Sequence, residues 1–362
     1  MKALVYHGPG EKAWETVPAP QVVDETDAIV GVEIVTICGT DLHILKGDVP
    51  EVSAGRILGH EAVGTVEAVG GAVTNVRAGD KVLVSCISSC GRCQYCRDRM
   101  YGQCTGGGGW RLGHLIDGTQ AEFVRVPFAD TSTYLVPPGV DDEAVLMLAD
   151  ILPTAYEVGA VNGRVGPGDT VVIVGAGPIG LAAILAVRLY SPSHVIVADV
   201  AEARLDAAKR FGADVTVNVS RENLFDAVGR VTAGAGADVA IEAVGVPDTF
   251  EACTQVVRPG GRIANVGVHG RPATLRLEQL WTKDVTIRTG LVDTWSTPTL
   301  LRLLRSGQLD ARPFVTHRFA LDDVLAAYDV FSRAQETSAL KVAMYNTTLR
   351  PDHPPFGAEL GS

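Results

Sequence analysis

Cys90, Cys93, Cys96 and Cys104 stand within fifteen residues of a 362-residue chain that has only three other cysteines. Their spacing is C-x2-C-x2-C-x7-C. Clustered cysteine serves a disulfide knot, an iron–sulfur cluster or a zinc site. The N-terminus MKALVYHGPGEK shows no apolar stretch of the secretory kind, so a reducing cytoplasmic setting is expected and disulfides are disfavoured. A ferredoxin-type run places its fourth cysteine three residues on and follows it with proline. Here the gap is seven and Thr105 follows. Four thiolates around Zn²⁺ leave no open coordination position, so the expectation is a structural zinc. The bland alternative is a mobile loop of free thiols. Yet Arg92, Gln94, Arg97, Asp98 and Arg99 are too polar to bury them, and a metal would be what holds the loop.

Two further donors lie apart from this cluster: Cys38 in CGTDLH (38–43) and His60 in GHE (59–61). Alone, Cys38 reads equally as a small buried hydrophobe and His60 as a core histidine. A catalytic zinc needs three protein ligands and an open position, so a third donor must come from elsewhere. A third constellation is VVIVGAGPIG (171–180), where Gly175, Gly177 and Gly180 form G-x-G-x-x-G around Pro178 and Ile179. Placed between a strand and a helix, such glycines admit a pyrophosphate to the backbone and to the helix N-terminus. Asp199 ends the next strand, nineteen residues after Gly180, where a carboxylate takes the ribose hydroxyls of NAD and repels the 2′-phosphate of NADP. The competing reading is that Asp199 caps the following helix.

These groups must be positioned by a chain long enough for two domains. The formal net charge of −11 and the lack of a basic run argue against nucleic acid. The apolar run 170–187 is broken by GAGPIG, which argues against a membrane span. Residues 1–152 read as β-rich, with strands at 28–37, 62–70, 79–86 and 121–127. From Pro153 strands and helices alternate, with strands at 170–175, 194–199, 214–219, 237–245, 262–268 and 284–290 and a helix over 247–261. That alternation predicts a doubly wound parallel six-stranded sheet over 153–292. Residues 293–362 read as helices at 297–308 and 321–334 with one last strand at 339–345. This tail is too short for its own core and is expected to pack on the N-terminal part. The run Gly106–Gly109 reads as a plain loop, and PDHPPFGAELGS (351–362) as loosely held.

CGTDLH, GHEAVGTVEAVG, CGRCQYCRDRMYGQC, VGAGPIG and RPGGRIANVG follow one another in the order found in zinc-dependent medium-chain alcohol dehydrogenases, and nearly the whole chain resembles that family, its formaldehyde-dehydrogenase-like and bacterial secondary-alcohol branch in particular. The resemblance implies an α/β protein: a GroES-like β-rich catalytic domain (1–152 and 293–362) with a Rossmann NAD-binding domain (153–292). It implies two Zn²⁺ per chain. Cys38, His60 and Asp150 would hold the catalytic one, Asp150 standing where relatives often carry cysteine, with Glu61 beside it. Cys90, Cys93, Cys96 and Cys104 would hold the structural one. Zinc would activate an alcohol oxygen and NAD⁺ would take the hydride. Thr40 and His43 would relay the proton, although His43 reads otherwise as a surface histidine. Thr154 would meet the nicotinamide, Arg204 and Lys341 the ribose and pyrophosphate. Gly245, Val266, Gly267 and Val268 would line the cofactor groove, and Cys86 and Trp110 the substrate pocket. Trp110 reads otherwise as loop packing. The implied substrate is a small or medium alcohol, aldehyde or ketone. A formaldehyde dehydrogenase or dismutase and a threonine- or polyol-type enzyme are the alternatives, and a homotetramer is expected by analogy.

Overall fold

The computed structural model describes residues 1–349, so the expectation for 351–362 lies outside the described residues. The chain divides into two compact units, one formed by Met1–Asp150 with the segment from Asp293 on, the other by Ile151–Val292.

In the first unit eight strands precede Asp150: β1 (Lys2–Gly8), β2 (Glu11–Thr16), β3 (Ala28–Thr36), β4 (Arg56–Ile57), β5 (Ala62–Val69), β6 (Lys81–Val84), β7 (Phe123–Val126) and β8 (Thr133–Leu135). The second unit contributes β9 (Thr170–Val174), β10 (His194–Asp199), β11 (Val215–Asn218), β12 (Ala237–Glu242), β13 (Val257–Asn265) and β14 (Thr286–Thr289). The chain then adds β15 (Val315–Ala320) and β16 (Lys341–Tyr345) to the first unit.

The first unit holds a small sheet, β2-β1-β4, and a larger one in the order β15-β16-β3-β5-β6-β8, with β7 also paired to β3. Val30 faces Val66 and Ala62 faces Val84 in antiparallel register. Their inner faces enclose Leu4, Val30, Val82, Leu112, Tyr328 and Met344, all buried. The tail joins this sheet through β16, where Met344 lies opposite Val35. It is less helical than the sequence suggests: VTHRFA forms β15, parallel to β16. Six residues with a single β-branched pair carry little strand signal of their own, and pairing to the buried β16 decides their state.

The second unit is a parallel sheet in the order β11-β10-β9-β12-β13-β14. Val172 of the central strand pairs with Ile196 on one side and Ala240 on the other. Strand β9 is buried throughout, as a parallel strand covered on both faces must be. One boundary moves. The helix expected over 247–261 ends at Val256, and β13 begins at Val257. Pro259 has no N–H to continue a helix, and Gly260 sits at φ 70°. Among the described residues no helix is long and apolar enough to cross a membrane.

Candidate metal and dinucleotide sites

The four clustered cysteines bring their sulfurs within 4.8 Å of one another. Cys90 and Cys96 sulfurs are 3.9 Å apart, as are those of Cys93 and Cys104. Bonded sulfurs lie at about 2.05 Å, so these are free thiols and not disulfides. Four sulfurs about 2.3 Å from a tetrahedral centre lie roughly 3.8 Å apart, so the donor set fits zinc. Backbone N–H groups of Cys93 and Cys96 donate to the sulfurs of Cys90 and Cys93, at 3.4 and 3.5 Å. The Cys96 N–H holds the Cys93 thiol down to about 5, toward the thiolate a metal requires. The glycine run is not a plain loop. A Cβ on Gly106 would collide with Cys90 Sγ, and one on Gly108 would reach within 2.9 Å of Cys104 Sγ. Sequence reading missed this because contact with the cysteines is made only after the loop folds back.

The second donor group assembles Cys38, His60, Glu61 and Asp150, with one donor atom of each within 4.8 Å of the others. Asp150 Oδ2 lies 3.5 Å from Cys38 Sγ and 3.5 Å from His60 Nε2. Tetrahedral donors at about 2.0–2.3 Å from a metal are roughly 3.3–3.8 Å apart, so these three also fit zinc. Burial and then the Asp150 charge push the Cys38 thiol up, as expected where acids are gathered around a place for a cation.

Cys38 is presented by the helix Gly39–Lys46, which it N-caps. Asp41, three residues on, accepts the Cys38 N–H at 2.9 Å and a Gln120 side-chain N–H at 3.1 Å. Its other oxygen lies 3.9 Å from His60 Nδ1. Tyr328 in turn donates to Gln120 Oε1 at 2.8 Å. Asp41 therefore holds the Cys38 end of the site and sets a carboxylate near His60, and sequence reading passed over it; the C-x-x-D capping pattern was the available signal. Thr40 Oγ1 is 3.6 Å from Cys38 Sγ. His43 stands one turn further, on the face Thr40 shares at i, i+3. Cys86 Sγ is 3.9 Å from Asp150 Oδ1. Trp110 meets His60 edge-on at 6.4 Å and stacks on His114 at 4.1 Å.

Lys341 departs from expectation. Its side chain is 1 % exposed, and its ammonium donates to Glu61 Oε2 at 2.6 Å and to the Ile37 carbonyl at 3.0 Å. Its partners are the carboxylate of Glu61 and the carbonyl just past the end of β3, where the family pattern implies ribose and pyrophosphate. The hydrogen bonds of β16 set this direction, which the motif alone does not reveal.

The glycine turn joins β9 to the helix Pro178–Arg188. Gly175 has φ 106°, and a Cβ on Gly180 would collide with the Gly175 carbonyl. Beside Gly177 there is open space, and no side chain caps this helix start, so its first N–H groups remain for an anion. Asp199 accepts the Ala176 N–H at 2.8 Å and the Ala201 N–H at 2.9 Å. It thus braces the turn as well as the entry to the next helix, and Arg204 Nη1 lies 3.9 Å from it. Gly245 and Gly267 abut, each too close to the other strand's end for a side chain, beside Val266 and the exposed Val268. Thr154 ends the short helix Ile151–Thr154.

Residues 24–138 match the Alcohol dehydrogenase GroES-like domain family and residues 178–306 the Zinc-binding dehydrogenase family. An alcohol dehydrogenase of Cupriavidus necator is 38% identical, over 95% of this chain and 98% of its own. The solved structure of zinc dependent alcohol dehydrogenase 2 from Streptococcus pneumonia is 46% identical with a TM-score of 0.92, covering 96% of this chain and 98% of that one. Two further structures are each 27% identical with a TM-score of 0.85 and cover 95–96% of this chain and 99% of their own. One is an Escherichia coli alcohol dehydrogenase complexed with NADH, the other a Sinorhizobium meliloti zinc-binding dehydrogenase bound to NADP. The chain belongs to the zinc-dependent medium-chain alcohol dehydrogenase family, and it is an oxidoreductase with the GroES-like and Rossmann architecture of that family.

Proposed function

We propose that this chain is an NAD(H)-dependent alcohol dehydrogenase that interconverts small or medium alcohols with aldehydes or ketones. The observation that carries the reading is the convergence of Cys38, His60 and Asp150 at tetrahedral separations, with a buried Glu61–Lys341 pair beside them. Cys38, His60 and Asp150 would hold a catalytic zinc, and Cys90, Cys93, Cys96 and Cys104 a structural one, giving two per chain. When bound, the catalytic zinc supplies Lewis acidity toward the substrate oxygen, and the nicotinamide ring supplies the hydride acceptor or donor.

The chain's own residues do the rest. Asp41 and Gln120 keep the Cys38 end of the site in register. Thr40 hands on the proton that leaves the alcohol, and His43, nearly half exposed at 46 %, passes it to water. Cys86 and Trp110 shape the space beside Asp150 and His60. The helix start at Gly177 takes the pyrophosphate, and Asp199 takes the adenosine ribose, which favours NAD over NADP. We assign the chemistry to the unit of residues 1–150 with 293 onward, and dinucleotide binding to 151–292. A cytoplasmic homo-oligomer, tetrameric by family analogy, completes the reading.

A panel of primary and secondary alcohols, assayed with NAD⁺ and NADP⁺ and paired with metal analysis, tests it. Expected are NAD-linked oxidation, two zinc per chain and loss of activity on chelation. Turnover that survives removal of all metal would overturn the reading.

A further inference from the structure

His43 lies in the last turn of the helix Gly39–Lys46, which ends at Gly47 in the left-handed conformation. That turn folds the next residue back, so that Asp48 donates its backbone N–H to the His43 carbonyl at 3.0 Å. The same reversal sets Asp48 Oδ2 2.9 Å from His43 Nδ1. A carboxylate oxygen only accepts, so Nδ1 must carry the proton there, and in the neutral ring Nε2 is left as a bare lone pair. Nε2 makes no hydrogen bond among the described residues.

The other charged groups near this helix end are committed elsewhere or out of reach. Asp41 points to Cys38 and Gln120. The β1–β2 turn packs on the helix end through Gly10 and Pro9 and carries His7, Glu11 and Lys12. His7 pairs with Glu15, and neither Glu11, Lys12 nor Lys46 forms an ion pair with His43. Asp48 is thus the one ionic partner of His43 among the described residues.

We infer that Asp48 is the positioning residue of the proton relay: it fixes the His43 tautomer and ring orientation so that Nε2 accepts the proton leaving the site. This rests on the reading of His43 as the outer relay group. In the step itself one proton reaches Nε2, the ring becomes an imidazolium beside the Asp48 carboxylate, and the proton then leaves to water. Nothing is oxidised or reduced on either residue.

The test is Asp48→Asn in the full-length zinc-loaded enzyme. The variant should fold normally, since Asp48 is half exposed and its backbone bond is unchanged. The amide neither forces Nδ1 to be the donor nor stabilises the imidazolium. Turnover in alcohol oxidation is expected to fall roughly 3–10-fold near neutrality, with the deficit closing at high pH where bulk hydroxide takes the proton. Nitrogen-15 NMR of the histidine rings should show His43 protonated at Nδ1 in the parent enzyme and a tautomer mixture in the variant. In a His43→Ala background the same Asp48 change should be silent. An unaltered profile and tautomer in Asp48→Asn, with His43→Ala impaired, would overturn the role of Asp48 alone. Full activity of His43→Ala at every pH would overturn the relay reading and this inference with it.

Discussion

Asp150 brings a hard oxygen donor to a site whose other donors are a thiol and an imidazole. It carries the same charge as a thiolate, so a zinc held there is neutralised to the same degree. Asp150→Ala is expected to give a folded protein that still binds dinucleotide, with metal content falling from about two per chain to one. Turnover should drop by at least about 100-fold, as for loss of a metal-site partner. Elemental analysis with dinucleotide titration checks this, and an unfolded variant or one with full turnover would contradict it. Asp199 is a less simple target, because it also braces Ala176 and Ala201. A glycine there would loosen the turn as well as remove the charge. Asp199→Asn keeps one acceptor but sets an amide donor against the second N–H, so the charge is read from the ratio of the two cofactors, which share the turn. The kcat/KM ratio of NAD⁺ to NADP⁺ is expected to fall by roughly 10-fold, corresponding to about 1–2 kcal/mol for a charged hydrogen-bonding partner. Equal use of both cofactors by the parent enzyme would sink the assignment.

At the scale of elements, the cysteine loop and strand β16 each do something their own residues do not announce. The loop has few apolar residues to hold it, so the zinc proposed for it, together with the close approach of Gly106 and Gly108, would do so. Gly106→Ala should loosen or expel the structural metal, and Cys93→Ser should do so outright. Both are expected to lower the melting temperature and promote aggregation, while the surviving folded fraction still oxidises alcohol. A stable but inactive Cys93→Ser would refute this division of labour between the two metals. Strand β16 delivers Lys341 into the core, where it faces Glu61. Lys341→Met leaves that carboxylate buried without a counter-charge and is expected to cost about 3–5 kcal/mol in denaturant unfolding. Burial alone pulls the Lys341 pKa down, but Glu61, then Cys38 and Asp150, outweigh it and raise the value above that of ordinary lysine. Stability from such a group is fully present below the unfolded pKa and lost as pH rises through the folded one. The stability gap between parent and Lys341→Met should therefore narrow above about pH 10, and also toward acid pH, where the buried Glu61, pushed up by burial, takes a proton and no longer needs the counter-charge. A gap that widened with alkali would show the sign to be wrong.

For the whole molecule the two units differ in how the chain builds them. All six strands of the parallel sheet lie within 151–292, whereas the first unit is assembled from two separated segments. A fragment spanning 151–292 is therefore expected to fold on its own and bind NAD⁺ without turning over alcohol. Circular dichroism and calorimetric titration check it, and a fragment that is unfolded or binds no dinucleotide would contradict the assignment of cofactor binding to that unit. The segment 1–150 lacks β15 and β16, so expressed alone it should expose the edge of β3 and aggregate.

Local chemistry was legible wherever a residue's role depends on its neighbours in sequence. The C-x2-C-x2-C-x7-C spacing and the strand-bounded G-x-G-x-x-G each show their geometry within twenty residues or so, and the central strands β9, β10 and β12 each have their own apolar run. Family motifs extended this to Cys38, His60 and Asp150, whose separations in sequence no spacing rule connects. What only the tertiary structure decided is the long-range pairing: Lys341 against Glu61, Asp41 with Gln120 and Tyr328, Gly106 under Cys90, and β15 beside β16. The reason is physical. A buried charge, a close-packed glycine or an ambiguous strand takes its partner from whatever the fold brings to it, and that partner can stand anywhere along the chain.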